Sequence, residues 1–202
     1  MLVIRGSRLY GSVYIVDIIT EPMSTAFDPD TLRLLTANRW ALPVMALLSE
    51  RSGARFAVIA ARFGLSSHSL TRCLQHLRDA GWVMPNTGHG HPLRPEYVLT
   101  DNGRAVGGAC ERILAARERL GLSPGDLPRW GLPLVAGIGD DWTRFGTLQM
   151  RLAPVTPRAL SMTLQTMIGQ DLVARRLEDR FPPLPLYALT GRGQDLAGAV
   201  LG

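Results

Sequence analysis

The sequence predicts a mainly helical fold with small β-hairpins, an α+β class in which one domain is present twice. The first observation is an internal repeat: Trp40 in RWALPV returns as Trp130 in RWGLPL, 90 positions later. The second is the order of elements in each copy, three helices followed by a hairpin. The third is that core and hairpin positions keep the same shift, namely Leu70/Leu160, Leu74/Leu164, Val83/Val173, Tyr97/Tyr187 and Gly103/Gly193.

The helices of the first copy are marked by their ends. Residues 40–48 form a short apolar helix with Pro43 near its start, where proline is tolerated. After a turn, FAVIAARFG forms a second short helix that ends at Gly64. Ser66 and Ser67 are good N-caps for a third helix, and Gly81 closes it. The buried face of this third helix is predicted from a spacing of three and four residues: Leu70, Leu74 and Leu77.

A hairpin follows the third helix in each copy. In the first copy, residues 82–84 start a strand, NTGHGHPLRP forms a loop, and residues 97–100 return. Pro92 and Pro95 confine this hairpin to two strands. In the second copy Thr156 caps the third helix and Pro157 takes its first position, before a hairpin of residues 172–177 and 186–190. Three helices and a hairpin predict a winged helix-turn-helix, here in tandem.

The predicted boundaries follow from this order. Residues 1–22 are an N-terminal extension of uncertain role, and residues 23–107 form the first winged-helix domain. Residues 108–128 are a linker helix and loop, and residues 129–202 form the second domain.

The run RWALPVMALLSE…RFAVIAARFGLSSHSLTRCLQHLRDAGWV…PLRPEYVLTDNGRAV resembles the HxlR-type winged-helix transcription regulators of bacteria. The segments RWGLPL, RFGTLQMRL, ALSMTLQTMIGQDLV and PLYALTGRG resemble the same pattern more loosely. The resemblance implies one such domain per chain, acting as a homodimer on a two-fold DNA site. Because this chain carries two domains, we expect an intramolecular pseudo-dimer, joined by the 108–120 helix and the Trp-led helices. Whether the monomer suffices or a homodimer forms is left open.

The charge balance favours a polyanionic partner. All 22 positive residues are arginine, the net charge is +5 and the isoelectric point is about 10.0. Arginine binds phosphates and guanine edges with forked geometry, although codon bias in a GC-rich genome also explains the absence of lysine. The sequence therefore predicts double-stranded DNA as the partner.

The candidate DNA contacts lie on the third helices, which enter the major groove in helix-turn-helix proteins, and on the hairpin loops, or wings. In the first copy they are Ser66, Ser67, His68, Ser69, Thr71, Arg72, Gln75 and His76, with His89, His91 and Arg94 in the wing. In the second copy they are Thr156, Arg158, Ser161 and Gln165, with Arg175, Arg176 and Arg180 in the wing. The third helix of the second copy carries one charge and Met162. We therefore expect an asymmetric DNA site, in which the first copy recognises the base sequence of its half-site and the second copy mostly binds the DNA backbone.

Other functions have weaker support. The four histidines and Cys73 lie in the first copy, but His68 and His76 are two helical turns apart, which disfavours a shared metal ion. No phosphate-binding loop or catalytic motif is present, and Asp140-Asp141 lies in a turn, so we predict neither an enzyme nor a cofactor. Thiol sensing is not expected, because family members that respond to electrophiles use a cysteine near the N-terminal helix, whereas no cysteine precedes Cys73.

The aromatic residues of the second copy either line a pocket for a small-molecule effector of unknown identity or, more in keeping with their spacing, belong to the core. Cys73 is expected to be partly buried and inert.

The absence of a cleavage site and of a long apolar run predicts a cytoplasmic protein with no membrane partner. The alternative function is a tandem winged-helix protein-interaction module, such as a chromosome-segregation scaffold.

Overall fold

The computed structural model describes residues 29–86, 96–123, 126–139, 141–179, 181 and 183–202. The extension of residues 1–22 lies outside these ranges, as do four predicted contacts, His89, His91, Arg94 and Arg180. No helix within the described ranges is both long and apolar enough to cross a membrane.

The two halves repeat the same order of helices and strands, so the predicted fold class is confirmed. The first half contains α1 (Pro29–Ala37), α2 (Ala41–Arg51), β1 (Ala54–Arg55), α3 (Phe56–Phe63), α4 (Ser67–Asp79), β2 (Val83–Asn86), β3 (Glu96–Leu99) and α5 (Asp101–Arg119). The second half contains α6 (Gly131–Ile138), β4 (Thr143–Arg144), α7 (Phe145–Arg151), α8 (Pro157–Gly169), β5 (Val173–Glu178), β6 (Leu184–Leu189) and α9 (Gly191–Leu201).

Each hairpin gains a third strand, so the prediction of a two-stranded hairpin was wrong. The strand orders are β1-β3-β2 and β4-β6-β5, with Ala54 opposite Tyr97 and Thr143 opposite Tyr187. The added strands have two residues each and directly precede α3 and α7. They therefore fix the start of the helix-turn-helix relative to its wing.

The hydrogen bonds that join α4 and α8 to their hairpins are the same in both halves. The Thr100 hydroxyl donates to the Gly81 carbonyl at 2.7 Å, and the Thr190 hydroxyl donates to the Asp171 carbonyl at 2.6 Å. Each threonine also caps the next helix, because its Oγ1 accepts from a backbone N–H at 3.0 Å in α5 and 3.1 Å in α9. The repeat is thus preserved in the contacts that orient α4 and α8.

The two halves pack through α5 against α9 and through α1 against α6, and one apolar core runs through both. α5 and α9 occupy equivalent places in their halves, so like elements meet, as in an isologous dimer interface. The Arg192 guanidinium adds a polar tie by donating to the Leu120 carbonyl at 2.9 Å. The predicted linker helix is therefore the second part of α5, which begins at Asp101. Of the Trp-led helices, α6 contacts the other half through α1.

Candidate nucleic-acid interface

The start of α4 is fixed by its serine cap. The Ser66 Oγ accepts from the Ser69 N–H at 3.2 Å, and the Ser66 hydroxyl donates to the Ser69 Oγ at 3.0 Å. Leu70, Leu74 and Leu77 are at most 2% exposed, which orients the helix on the core. The hydroxyls of Ser66 and Ser69 therefore bond to each other and hold the helix end in place.

The opposite side of α4 is exposed and polar. We call this side the outward face of α4, and it consists of Ser67, His68, Thr71, Arg72 and Gln75. Arg72 takes part in none of the ion pairs formed among the described residues. The Gln75 amide donates to the Asp79 carboxylate at 2.6 Å, a contact it would give up to bind a base.

His76 has a structural partner instead. Its Nε2 lies 2.8 Å from the Leu34 carbonyl oxygen, and the side chain is half-buried. The ring therefore joins α4 to α1, and we leave His76 out of the DNA contacts proposed below.

α8 repeats this arrangement with different side chains. The Thr156 Oγ1 accepts from the Ala159 N–H at 3.2 Å, and Pro157 takes the first helical position. Leu160, Leu164 and Met167 are at most 2% exposed. The outward face of α8 consists of Arg158, Ser161, Met162 and Gln165, all exposed.

The caps are expected to stabilise the two helices equally. Ser66→Ala and Thr156→Ala should each lower the free energy of unfolding by about 1 kcal/mol, because a backbone N–H of the first turn loses its acceptor. Urea unfolding monitored by circular dichroism measures this loss. Glycine at the same positions should cost only a few tenths of a kcal/mol, since glycine is itself a tolerated cap. Equal losses for alanine and glycine would show that the cap hydrogen bond contributes little.

The wing of the second half exposes arginines beside acidic residues, Glu178 and Asp179. Arg175 and Arg176 are exposed on β5, and the Arg176 guanidinium lies 4.3 Å from the centre of the Trp142 ring. The Arg144 guanidinium donates to the Glu178 carboxylate at 3.4 Å across the sheet. Phe181 beyond β5 is almost fully exposed. This wing therefore offers two arginines and one aromatic ring to a partner.

Cys73 and Cys110 are both fully buried, so the expectation that Cys73 is only partly buried was wrong. Burial raises the pKa of the Cys73 thiol to about 12, and burial also raises the pKa of Cys110. The reactive thiolate is therefore scarce at neutral pH.

A maleimide is expected to label neither cysteine in the native protein at pH 7.5, and both after denaturation. The burial of the two thiols also makes the free energy of unfolding depend on pH. The unfolded thiols ionise near pH 8.5, so stability present at neutral pH should fall as the pH rises from there toward 12. Rapid native labelling at pH 7.5, measured by mass spectrometry, would contradict the buried placement.

The aromatic residues of the second half belong mostly to the core. Tyr187 is buried, while Trp130 and Phe145 pack partly buried against the core. A separate open cleft of about 580 Å³ lies between α2, the first hairpin and α5, with Ser49, Met84 and Arg104 in its lining. Within the described part of the chain, no group of three histidine, cysteine or acidic residues is placed to hold a metal ion.

Comparisons with known proteins agree with the repeat. The family model described as HxlR-like helix-turn-helix matches residues 35–119 and again residues 127–201. None of the curated proteins matches significantly. Among solved structures, a protein described as a transcriptional regulator of the MarR family from Enterococcus faecalis V583 is 28% identical, over 44% of this chain and 74% of its own. Its TM-score is 0.36.

Proposed function

The chain belongs to the HxlR-like helix-turn-helix family, and from this we propose that it is a DNA-binding transcription regulator acting as an intramolecular pseudo-dimer. The observation that carries the proposal is the pair α4 and α8. Both helices are capped in the same way, buried on the same positions and exposed on the opposite side. The halves that carry them pack together through the equivalent helices α5 and α9. In a dimeric helix-turn-helix protein the two recognition helices are likewise carried by paired subunits.

α4 is proposed to enter the major groove with its N-terminal end. The free N–H groups of the first turn attract phosphate, and the hydroxyls of Ser67 and Thr71 donate to phosphate or bases. His68 lies on the same turn and extends this contact. Arg72 suits the O6 and N7 acceptors of guanine, and Gln75 suits adenine. Together these side chains would let α4 bind the DNA backbone and distinguish between bases.

α8 and the wings are proposed to complete the contact. Arg158, Ser161 and Gln165 lie on the outward face of α8, while Arg175 and Arg176 offer two charges from β5. His89, His91, Arg94 and Arg180 remain proposed wing contacts with the DNA backbone. With α4 and α8 in successive major grooves on one side of the duplex, their centres would be about 34 Å apart. One chain would then occupy a site that usually requires two.

A protein-interaction module is the second candidate. It is favoured by Met150 and Met162, which are 74% and 58% exposed on the helix-turn-helix of the second half. Exposed apolar side chains mark protein contacts when they form a contiguous patch. The two candidates differ in one measurable property, sequence-specific binding to duplex DNA.

Arg72→Ala tests the DNA-binding proposal. On a duplex selected from a randomised pool by the wild-type chain, the variant should lose about 1–3 kcal/mol of binding free energy and tolerate any base at one position. Fluorescence anisotropy at fixed salt concentration measures both effects.

Arg78→Ala is the matched control, because it removes the same charge from the last turn of α4. It should leave the preference for the selected duplex over random duplexes unchanged, because the loss of a charge away from the N-terminal end of α4 affects both duplexes alike. If Arg72→Ala also lost equally on both duplexes, Arg72 would contact phosphate only. If the wild-type chain showed no preference among duplexes, the regulator proposal would be refuted in favour of the protein-interaction module.

A further inference from the structure

The two halves provide an internal comparison at the centre of their outward faces. Arg72 is the sixth residue after the Ser66 cap, and Met162 is the sixth residue after the Thr156 cap. Both helices have 13 residues, and their caps have the same extended backbone and the same 3.2 Å hydrogen bond. Arg72 and Met162 therefore occupy equivalent positions on two helices of the same length and with the same type of cap.

The chemistry of the two side chains differs completely. Arginine presents five N–H donors in a rigid fork, which matches the paired acceptors of guanine. Methionine presents a thioether and a methyl group and donates no hydrogen bond. In the major groove the apolar group available to such a side chain is the 5-methyl of thymine.

The surroundings of Met162 suit an anionic partner. α8 contains no acidic residue, and its one charged side chain is Arg158, near its N-terminus. The wing that follows exposes Arg175 and Arg176 and ends with Glu178, which pairs with Arg144, and the exposed Asp179. The 58% exposed Met162 lies one helical turn after Arg158, and the only charge on α8 is positive, so this helix would not repel an approaching phosphate backbone.

We propose that Met162 determines the specificity of the second half-site by contacting a thymine methyl group, as Arg72 determines the first by contacting guanine. The inference rests on the proposed DNA-binding function and goes beyond a second half that only holds the backbone. The preferred site then consists of two unlike half-sites, which gives the bound chain one direction along the DNA.

The test uses the full chain and a duplex pool with a randomised centre. Selection should yield a guanine-dependent half-site and a thymine-dependent one. Replacing the selected thymine by deoxyuridine removes only the methyl group and should weaken binding about three- to fivefold, as expected for one lost methyl contact. Met162→Ala should bind both duplexes equally.

Met150→Ala is the matched control, since it removes an exposed methionine from the neighbouring helix α7 and should keep the preference for thymine over deoxyuridine. In the converse experiment, Met162→Arg should select guanine in both half-sites. All three substitutions are at exposed positions, so circular dichroism should show an unchanged fold.

Four results would overturn the inference. Two like half-sites, or a second half-site indifferent to deoxyuridine at every thymine, would refute the role of Met162 and leave the regulator standing. A Met162→Ala variant that still discriminates against deoxyuridine would do the same. Failure to select any duplex would refute both proposals and favour a protein partner for the exposed methionines.

Discussion

Gly103→Ala is expected to lower the free energy of unfolding by about 3 kcal/mol, because the site has no space for a Cβ atom. A Cβ at Gly103 would overlap the Trp82 carbonyl oxygen, which accepts from the Thr100 N–H at 3.0 Å. The obstacle is backbone, so a side chain cannot rotate away to relieve it. Gly193 faces the Leu172 carbonyl oxygen in the same way, and Gly193→Ala should cost a similar amount.

Urea unfolding measures this effect, and Gly108→Ala is the control. Gly108 lies in the same helix, and a Cβ there would have no neighbour within 4 Å. Alanine at Gly108 should be neutral or stabilise the protein by about 0.5–1 kcal/mol, because alanine favours helix. Equal changes at Gly103 and Gly108 would show that the close contact between hairpin and helix is absent.

Inserting five base pairs between the half-sites of a selected duplex is expected to weaken binding about a hundredfold or more. Half a helical turn places the two half-sites on opposite sides of the DNA, so α4 and α8 cannot engage together. The loss is that of the second, intramolecular binding event. Titration of labelled duplexes at constant salt concentration measures it.

An insertion of ten base pairs distinguishes packed halves from flexibly linked ones. It returns both half-sites to one side but separates them by a further turn of about 34 Å. Because α5 packs on α9 and α1 on α6, the halves should not follow, and binding should stay weak. Recovery of affinity with ten added base pairs would indicate two independently tethered domains.

The repeat made the helices that carry the site predictable. Ser66 and Thr156 were identified from cap residues and leucine spacing, and both form the expected hydrogen bonds. These signals are local and appear twice, so each copy supports the other. The polar outward faces followed once the buried leucines were known.

Other features depend on contacts that local patterns do not contain. β1 and β4 have two residues each, too few to show the alternation that identifies a strand. The helix spacing places His76 on the outward face of α4, because nothing in that spacing indicates that α1 packs beside it. α9 was also missed, although the sequence contained its signal: LTxxG at Thr190 repeats LTxxG at Thr100, where α5 begins.

The mass of the complex with a selected duplex tests most directly whether one chain does the work of a dimer. Sedimentation of the wild-type protein with a duplex that carries both half-sites should show one chain per duplex, and a footprint should cover two successive major grooves on one side. Two chains per duplex, each protecting a single groove, would contradict the intramolecular pseudo-dimer.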